Sequence, residues 1–246
     1  MARTRSQGDI TLHARVLVQL RADILGCRLM PNERLTLDAL KKRYGAGWSP
    51  IREALMRLAS EGLVELEQNK GFRVGRVSRD HLVDLMQSRI EIENLALQRA
   101  IIKGDVEWEA NLLAAFHCLS KQNKISPTQR RTINTQWSIA HRAFHRALVV
   151  ACESPTLLSI RDNLFAQTER YVTLAILSKW PPRNDVAEHA RIMEAALARN
   201  AMRATALNRE HIERTLNKVV KSLQRDPEFS KSGTADLVDS RLALTG

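Results

Sequence analysis

Residues 48–74 read "WSPIREALMRLASEGLVELEQNKGFRV". Ser49 and Pro50 supply a helix start, since proline is tolerated in a first turn whose N–H groups have no intrahelical acceptor. Ile51, Leu55, Leu58 and Ala59 recur at helical spacing and predict an inward stripe, with Arg52, Glu53, Met56 and Arg57 on the outer face. Gly62 stops the helix. "LVELE" then alternates apolar and acidic residues, "QNKG" has turn chemistry, and "FRVGRV" alternates again, which predicts a two-stranded wing.

Upstream, "TLHARVLVQLRADILGC" (11–27) spaces Leu12, Val16, Leu20, Ile24 and Leu25 as a helix, and Pro31 interrupts it. Thr36 is the expected N-cap of a short helix, "LDALKKRY", ending at Gly45 to Gly47. Three short helices and a hairpin make a winged helix-turn-helix, a unit that presents one helix to a DNA major groove.

Downstream the strand signal disappears. Six amphipathic segments follow, beginning at Ser78, Asp105, Gln136, Ser154, Asp185 and Ala201, and predict an all-helical bundle. The breaks between them are Lys103-Gly104, "KISPTQ" with Pro127, "CESP" with Ser154 as cap and Pro155 in the first turn, and "WPPRN". The fold class is therefore mainly α. The expected domains are residues 1–76, a winged helix-turn-helix; 77–225, a helical effector-binding and dimerisation domain; and 226–246, a disordered tail without periodicity.

Charge gives this division a meaning. The 246 residues carry a net charge of +11, and up to Arg76 there are 14 Lys or Arg against 8 Asp or Glu. Such basic density in the first third points to a polyanion, with nucleic acid the commonest. No apolar run approaches the roughly 18 residues a membrane helix needs, and "MARTRSQGDI" has no apolar signal core, so a soluble cytoplasmic protein is expected. Cys27, Cys118 and Cys152 are too scattered for a disulfide framework or a metal knuckle and read as small buried hydrophobes.

On the third helix, Arg52 and Arg57, with Trp48 and Ser49 at its entrance, are placed to meet base edges and phosphates. Lys41, Lys42 and Arg43 on the supporting helix would neutralise phosphates, and Asn69, Lys70 and Gly71 at the wing tip would touch backbone or minor groove. The plainer alternative is that these charges solvate outer faces, with Arg52 or Arg57 in intrahelical ion pairs.

Here the sequence resembles a family. "SPIREALMRLASEGLV" followed by "NKGFRV", together with "ILGCRLMPNERLTLDAL", is similar to the DNA-binding head of GntR-type transcription regulators over about residues 12 to 76. Two departures stand out: Trp48 occupies the place of a base-contacting arginine, and Asn32 replaces a glycine. Arg52 matches the second recognition arginine, so the resemblance implies DNA binding with a different operator.

In the second part, His141 and His145 lie four apart and project from one helix face, while His189 and His211 sit on the last two helices and point toward a bundle interior. Four imidazoles could converge on zinc or a similar borderline metal; a satisfied core histidine is the alternative at each position. His117 has no partner at ligand spacing. The span from Ser78 to about Leu223 resembles the FCD ligand-binding domain of the FadR-type branch, in which an Asp-x-x-x-His pair and two later histidines hold a divalent cation. "HRAFH", "EHARIMEAALARN" and "REHIERT" carry His145, His189 and His211 across as ligands, and His141 stands where the aspartate belongs. "RY" with "GWSP", and "NKGF", look like the carbon-starvation (CsiR-like) group.

By the same resemblance Arg89, with Glu93 after it, matches R-x-x-x-E and implies an effector carboxylate held bidentately. The alternative is an i, i+4 ion pair on a solvated face. Arg170 and Tyr171 are further pocket candidates. The function so implied is a dimeric, ligand-responsive regulator, a repressor of an organic-acid operon released from double-stranded DNA by a small carboxylate near zinc or nickel. Two other classes compete: a metal-dependent hydrolase using the histidines, which lacks HExxH and a nucleophile elbow, and a nonspecific architectural DNA protein, which leaves the bundle unexplained.

Overall fold

A computed structural model describes residues 12–68, 71–128, 132–178 and 185–224. The tail expected at 226–246 lies outside the described residues, as do Asn69 and Lys70. Contacts divide the chain into two compact units, Met1–Val77 and Ser78–Gly246.

The first unit holds α1 (Leu12–Leu25), β1 (Arg34–Leu35), α2 (Leu37–Tyr44), α3 (Trp48–Ser60), β2 (Val64–Glu67) and β3 (Gly71–Val74). Val16, Leu20 and Ile24 of α1 are fully buried, as are Ile51, Ala54, Leu55 and Leu58 of α3, and the two helices pack together. Ala54 takes the inner place expected of Ala59, which is half-buried. The set 51, 54, 55, 58 is the true i, i+3, i+4, i+7 stripe, and residue 59 has rotated off it. The wing has three strands among the described residues, because Arg34 and Leu35 pair antiparallel with Arg73 and Phe72. Just before that strand, Asn32 adopts φ +67° and its N–H bonds the Val74 carbonyl at 3.1 Å. Asparagine is the side chain that best tolerates the left-handed conformation a glycine would otherwise supply. Neither Thr36 nor Ser49 caps through its hydroxyl: Thr36 holds the N-cap place of α2 without a side-chain bond, and α3 is preceded by Gly47 at its N-cap.

The second unit holds α4 (Arg79–Lys103), α5 (Val106–Ser120), α6 (Thr135–Ala147), a 3-10 turn at Val150–Cys152, α7 (Pro155–Leu177), α8 (Val186–Leu197) and α9 (Ala201–Leu223). Ser78, Asp105, Asn134, Ser154 and Asn200 each accept a backbone N–H from the first turn of the helix they precede, satisfying donors that would otherwise have no partner. One antiparallel bridge, Ile125 to Ile133, joins the ends of the α5–α6 connection. The core gathers Leu97, Trp108, Leu112, Phe144, Ile192 and Ala204. Long α4 packs against both α7 and α9, and α8 against α9, while α6 turns Trp137, Phe144 and His145 inward. Cys27 and Cys152 are buried as expected, but Cys118 is exposed: the inner face of α5 is made by Trp108, Leu112 and Leu119. Within the described residues no helix is long and apolar enough to cross a membrane.

Candidate metal centre and DNA-facing helix

Helix α6 sets His141 and His145 one turn apart, and α8 and α9 bring His189 and His211 to the same point. One ring nitrogen from each lies within 4.8 Å of all the others. His145 Nε2 is 3.2 Å from His141 Nε2 and 3.2 Å from His189 Nε2. A zinc ion in tetrahedral imidazole coordination, at about 2.0–2.1 Å per bond, spaces its nitrogens by roughly 3.3 Å. Glu188 accepts a hydrogen bond from His211 Nδ1 at 2.9 Å, which leaves Nε2 of that ring as the lone-pair nitrogen, the usual outer support of a metal-bound histidine. The buried Nδ1 atoms of His141 and His189 have no hydrogen-bond partner among the described residues. His141 stacks on Trp137, with ring centroids 4.4 Å apart. Lys124 sits over the Trp137 ring and also binds Asp185, one turn before His189.

Burial, reinforced by the other imidazoles and by Lys124 or Arg89, holds His141, His145 and His189 well below the ordinary histidine range. Neutral imidazoles with inward lone pairs are what a borderline divalent ion requires. The residues therefore fit such an ion, and His141 fills the aspartate position of the resemblance with an equally competent, uncharged donor.

Beside this cluster lies a second group that the sequence only half revealed. Arg89 and Arg161 each donate Nε–H to the same Glu93 oxygen at 3.0 Å. The Arg89–Glu93 pair thus exists, but not on a solvated face: Arg89 is 5% and Glu93 3% exposed. Both guanidinium groups lie over the Phe165 ring, at 4.5 and 4.3 Å. That ring is also 5.4 Å from His145 and 5.8 Å from His141. Arg161 was not anticipated, since "LSIRDNL" has no motif and its acid lies 68 residues earlier. Its Nη1 reaches surface Asp162, while buried Nη2 has no partner among the described residues. Two buried cations share one buried carboxylate.

Arg170 and Tyr171 are fully buried but placed elsewhere. The Tyr171 hydroxyl accepts from Ser78 N–H at 3.2 Å and meets His81 Nδ1 at 2.7 Å, at the start of α4, about 12 Å along the axis from Arg89. His117 is exposed on α5.

In the first unit, α3 turns Trp48, Ser49, Arg52, Glu53, Met56 and Arg57 outward. Ser49 gives its hydroxyl hydrogen to Glu53. Arg57 forms the plainer alternative, an i, i+4 pair with Glu61 at 3.0 Å, and Glu61 also holds Arg21. Arg52 makes no hydrogen bond or ion pair among the described residues. Lys42 is exposed, and Lys41 lies 5.2 Å from the Trp48 ring centroid. Arg43 is a correction: its Nε donates to Asp23 at 2.8 Å, alongside Arg28 and Tyr44, so it ties α2 to α1 instead of standing free for phosphate. Burial raises the Asp23 carboxyl, but bonds from Arg28 and Tyr44 and the nearby charges outweigh it and hold it below the usual range. Gly71 begins β3 at φ +86°, a conformation that favours glycine.

Comparison with known proteins agrees with this division. Residues 12–74 match the model of bacterial regulatory proteins of the gntR family, and residues 84–214 match the FCD domain. The chain is 38% identical over 201 residues, 82% of each chain, to the uncharacterized HTH-type transcriptional regulator BphR of Paraburkholderia xenovorans. It is 35% identical to the HTH-type transcriptional repressor GlaR of Escherichia coli, over 78% of this chain and 89% of that one. Among solved structures, E. coli McbR/YncC superposes with a TM-score of 0.70 at 19% identity, covering 87% of this chain and 99% of its own.

Proposed function

The chain belongs to the GntR family of bacterial regulatory proteins and carries an FCD domain, so it is a DNA-binding transcriptional regulator and not an enzyme; from there we propose that it is a homodimeric repressor of an organic-acid catabolic operon, released by a small carboxylate. One observation carries the reading: a buried cationic pair, Arg89 and Arg161, adjoins the histidine quartet across the single ring of Phe165. Zinc or nickel held by His141, His145, His189 and His211 would supply a Lewis-acid contact for one carboxylate oxygen by widening its four-imidazole shell to a fifth position. The arginines then supply charge-assisted hydrogen bonds to the same anion, with Glu93 holding both guanidinium groups in position. Glu188 fixes the tautomer of His211, and the enclosing rings exclude water, which strengthens each of these contacts.

The DNA-binding residues of this reading are Trp48, Ser49, Arg52, Lys41, Lys42 and Gly71, with Arg57 secondary because Glu61 engages it, and with Asn69 and Lys70 at the wing tip. A two-fold dimer sets two α3 helices into half-sites one or more helical turns apart. Effector binding needs a coupling free energy of only about 1–3 kcal/mol to shift occupancy usefully.

Footprinting of the purified protein on DNA flanking its own gene, with a panel of small carboxylic acids and with or without a chelator, tests this. A symmetric protected site released by one acid, and no longer released by it after chelation, is the expected result. Protection indifferent to every acid and to metal removal overturns the effector reading, and absence of any discrete site overturns the operator reading.

A further inference from the structure

Trp48 is the first residue of α3 and remains 52% exposed. Tryptophan is enriched at contact surfaces because its apolar ring and its N–H can both be satisfied there. Its ring N–H has no hydrogen-bond partner among the described residues. Arg52 lies one turn further along the same face, exposed and without an ion pair among those residues. Lys41, from α2, holds its ammonium group 5.2 Å from the indole centroid. The entrance of the helix thus combines a flat apolar surface, one unused donor and a cation kept beside them.

A helix entering the major groove N-terminus first meets base edges of four chemistries. Guanine shows two acceptors and no methyl, adenine an acceptor and a donor, and cytosine a donor. Thymine alone shows an apolar group, its C5-methyl, beside an acceptor, O4. Only thymine matches an apolar ring with one donor. We propose that Trp48 is a specificity-determining residue that reads a thymine, packing its ring on the methyl and giving its N–H to O4. Lys41, held against the same ring, neutralises the flanking phosphate. The inference rests on the reading of α3 as the helix that lies in the groove. Four residues of helix separate Trp48 from Arg52 by about 6 Å, and base pairs rise by about 3.4 Å, so the thymine falls within two base pairs of the base Arg52 reads.

The test begins with duplexes selected by the full-length protein from random-sequence DNA. Each conserved thymine is then replaced by deoxyuridine, which removes the methyl and nothing else. One such replacement should weaken binding of the wild type about fourfold, the worth of one buried methyl-sized group, and should leave Trp48→Ala unaffected. Trp48→Arg should select guanine at that position. Lys41→Ala should weaken all duplexes alike and reduce the slope of log affinity against log salt by about one. Conserved duplexes that are indifferent to every uracil replacement, or a uracil effect that persists in Trp48→Ala, overturn the role of Trp48 while leaving DNA reading intact. Failure to enrich any sequence overturns both.

Discussion

Replacing Glu93 by glutamine keeps the side chain's size and one acceptor oxygen but removes its charge. In the wild type that carboxylate is 3% exposed and takes Nε–H from Arg89 and Arg161, whose side chains are 6% and 1% exposed. The variant leaves two guanidinium groups enclosed over one phenyl ring without the carboxylate they share, with only the more distant charge of Glu169 and, for Arg161, surface Asp162 to offset them. Breaking a buried pair in this way costs about 3–5 kcal/mol. In a domain of about 150 residues, 1 kcal/mol moves the midpoint by roughly 2–4 °C, so thermal unfolding of the helical unit should fall by at least about 6 °C. Urea or thermal unfolding, followed through the buried Trp108 and Trp137, measures it. The pH dependence gives a second check. Burial pushes the Glu93 carboxyl up, but the charges of Arg89 and Arg161 and the Arg89 bond outweigh it and hold it below its ordinary value. A folded-state value below the unfolded one means the contribution is complete above the unfolded range, near 4.3. It is lost as pH falls through the lower, folded value. The gap between wild type and Glu93→Gln should therefore be widest near neutrality and narrow as the medium is acidified below about pH 4. A loss under about 1 kcal/mol, the scale of a surface pair, or a gap independent of pH, would refute the enclosed-charge argument.

Glu188→Gln should weaken divalent-metal affinity by about 10- to 100-fold, because His211 loses the charged partner that sets its tautomer; competition against a chromophoric chelator reads this, and unchanged affinity would place the site elsewhere. Gly104→Ala should destabilise the helical unit by about 1–3 kcal/mol, since a Cβ there would stand 2.3 Å from Trp108 and 2.7 Å from the Ala100 carbonyl; an unfolding midpoint equal to wild type would contradict that packing. Asp23→Ala should destabilise the head by about 1–3 kcal/mol, the cost of leaving donors without their acceptor, because Arg28, Arg43 and Tyr44 all converge on that carboxylate; an unaltered denaturation curve would show the node to be idle.

What could be read from the chain depended on whether its cause was local. Helix stops at Gly62 and Gly104 and the cap at Ser154 were legible because capping and breaking chemistry acts over one turn. The stripe of α3 was legible to within one residue. Strand β1 was not, because two residues cannot show alternation and Arg34–Leu35 pairs with residues nearly forty positions later. At the candidate site, the four histidines announced themselves by spacing and resemblance, whereas Arg161, Glu188 and Trp137 matter through partners 68, 23 and four residues away. Arg43 illustrates the opposite failure: in a basic run it reads as a free cation, and only the fold shows that Asp23, twenty residues before it, holds it.

The histidine quartet also bears on how the chain stays folded. His145 and His189 are 44 residues apart and stand on different helices, and His211 stands on a third. An ion shared among them would tie three helices together in the folded chain, and unlike a disulfide it would be released on unfolding. If it binds the folded form far better than the unfolded one, its free concentration would become a term in the folding equilibrium. The same four side chains would then make the half-life of the regulator in a cell, and not only its grip on an operator, follow the supply of metal.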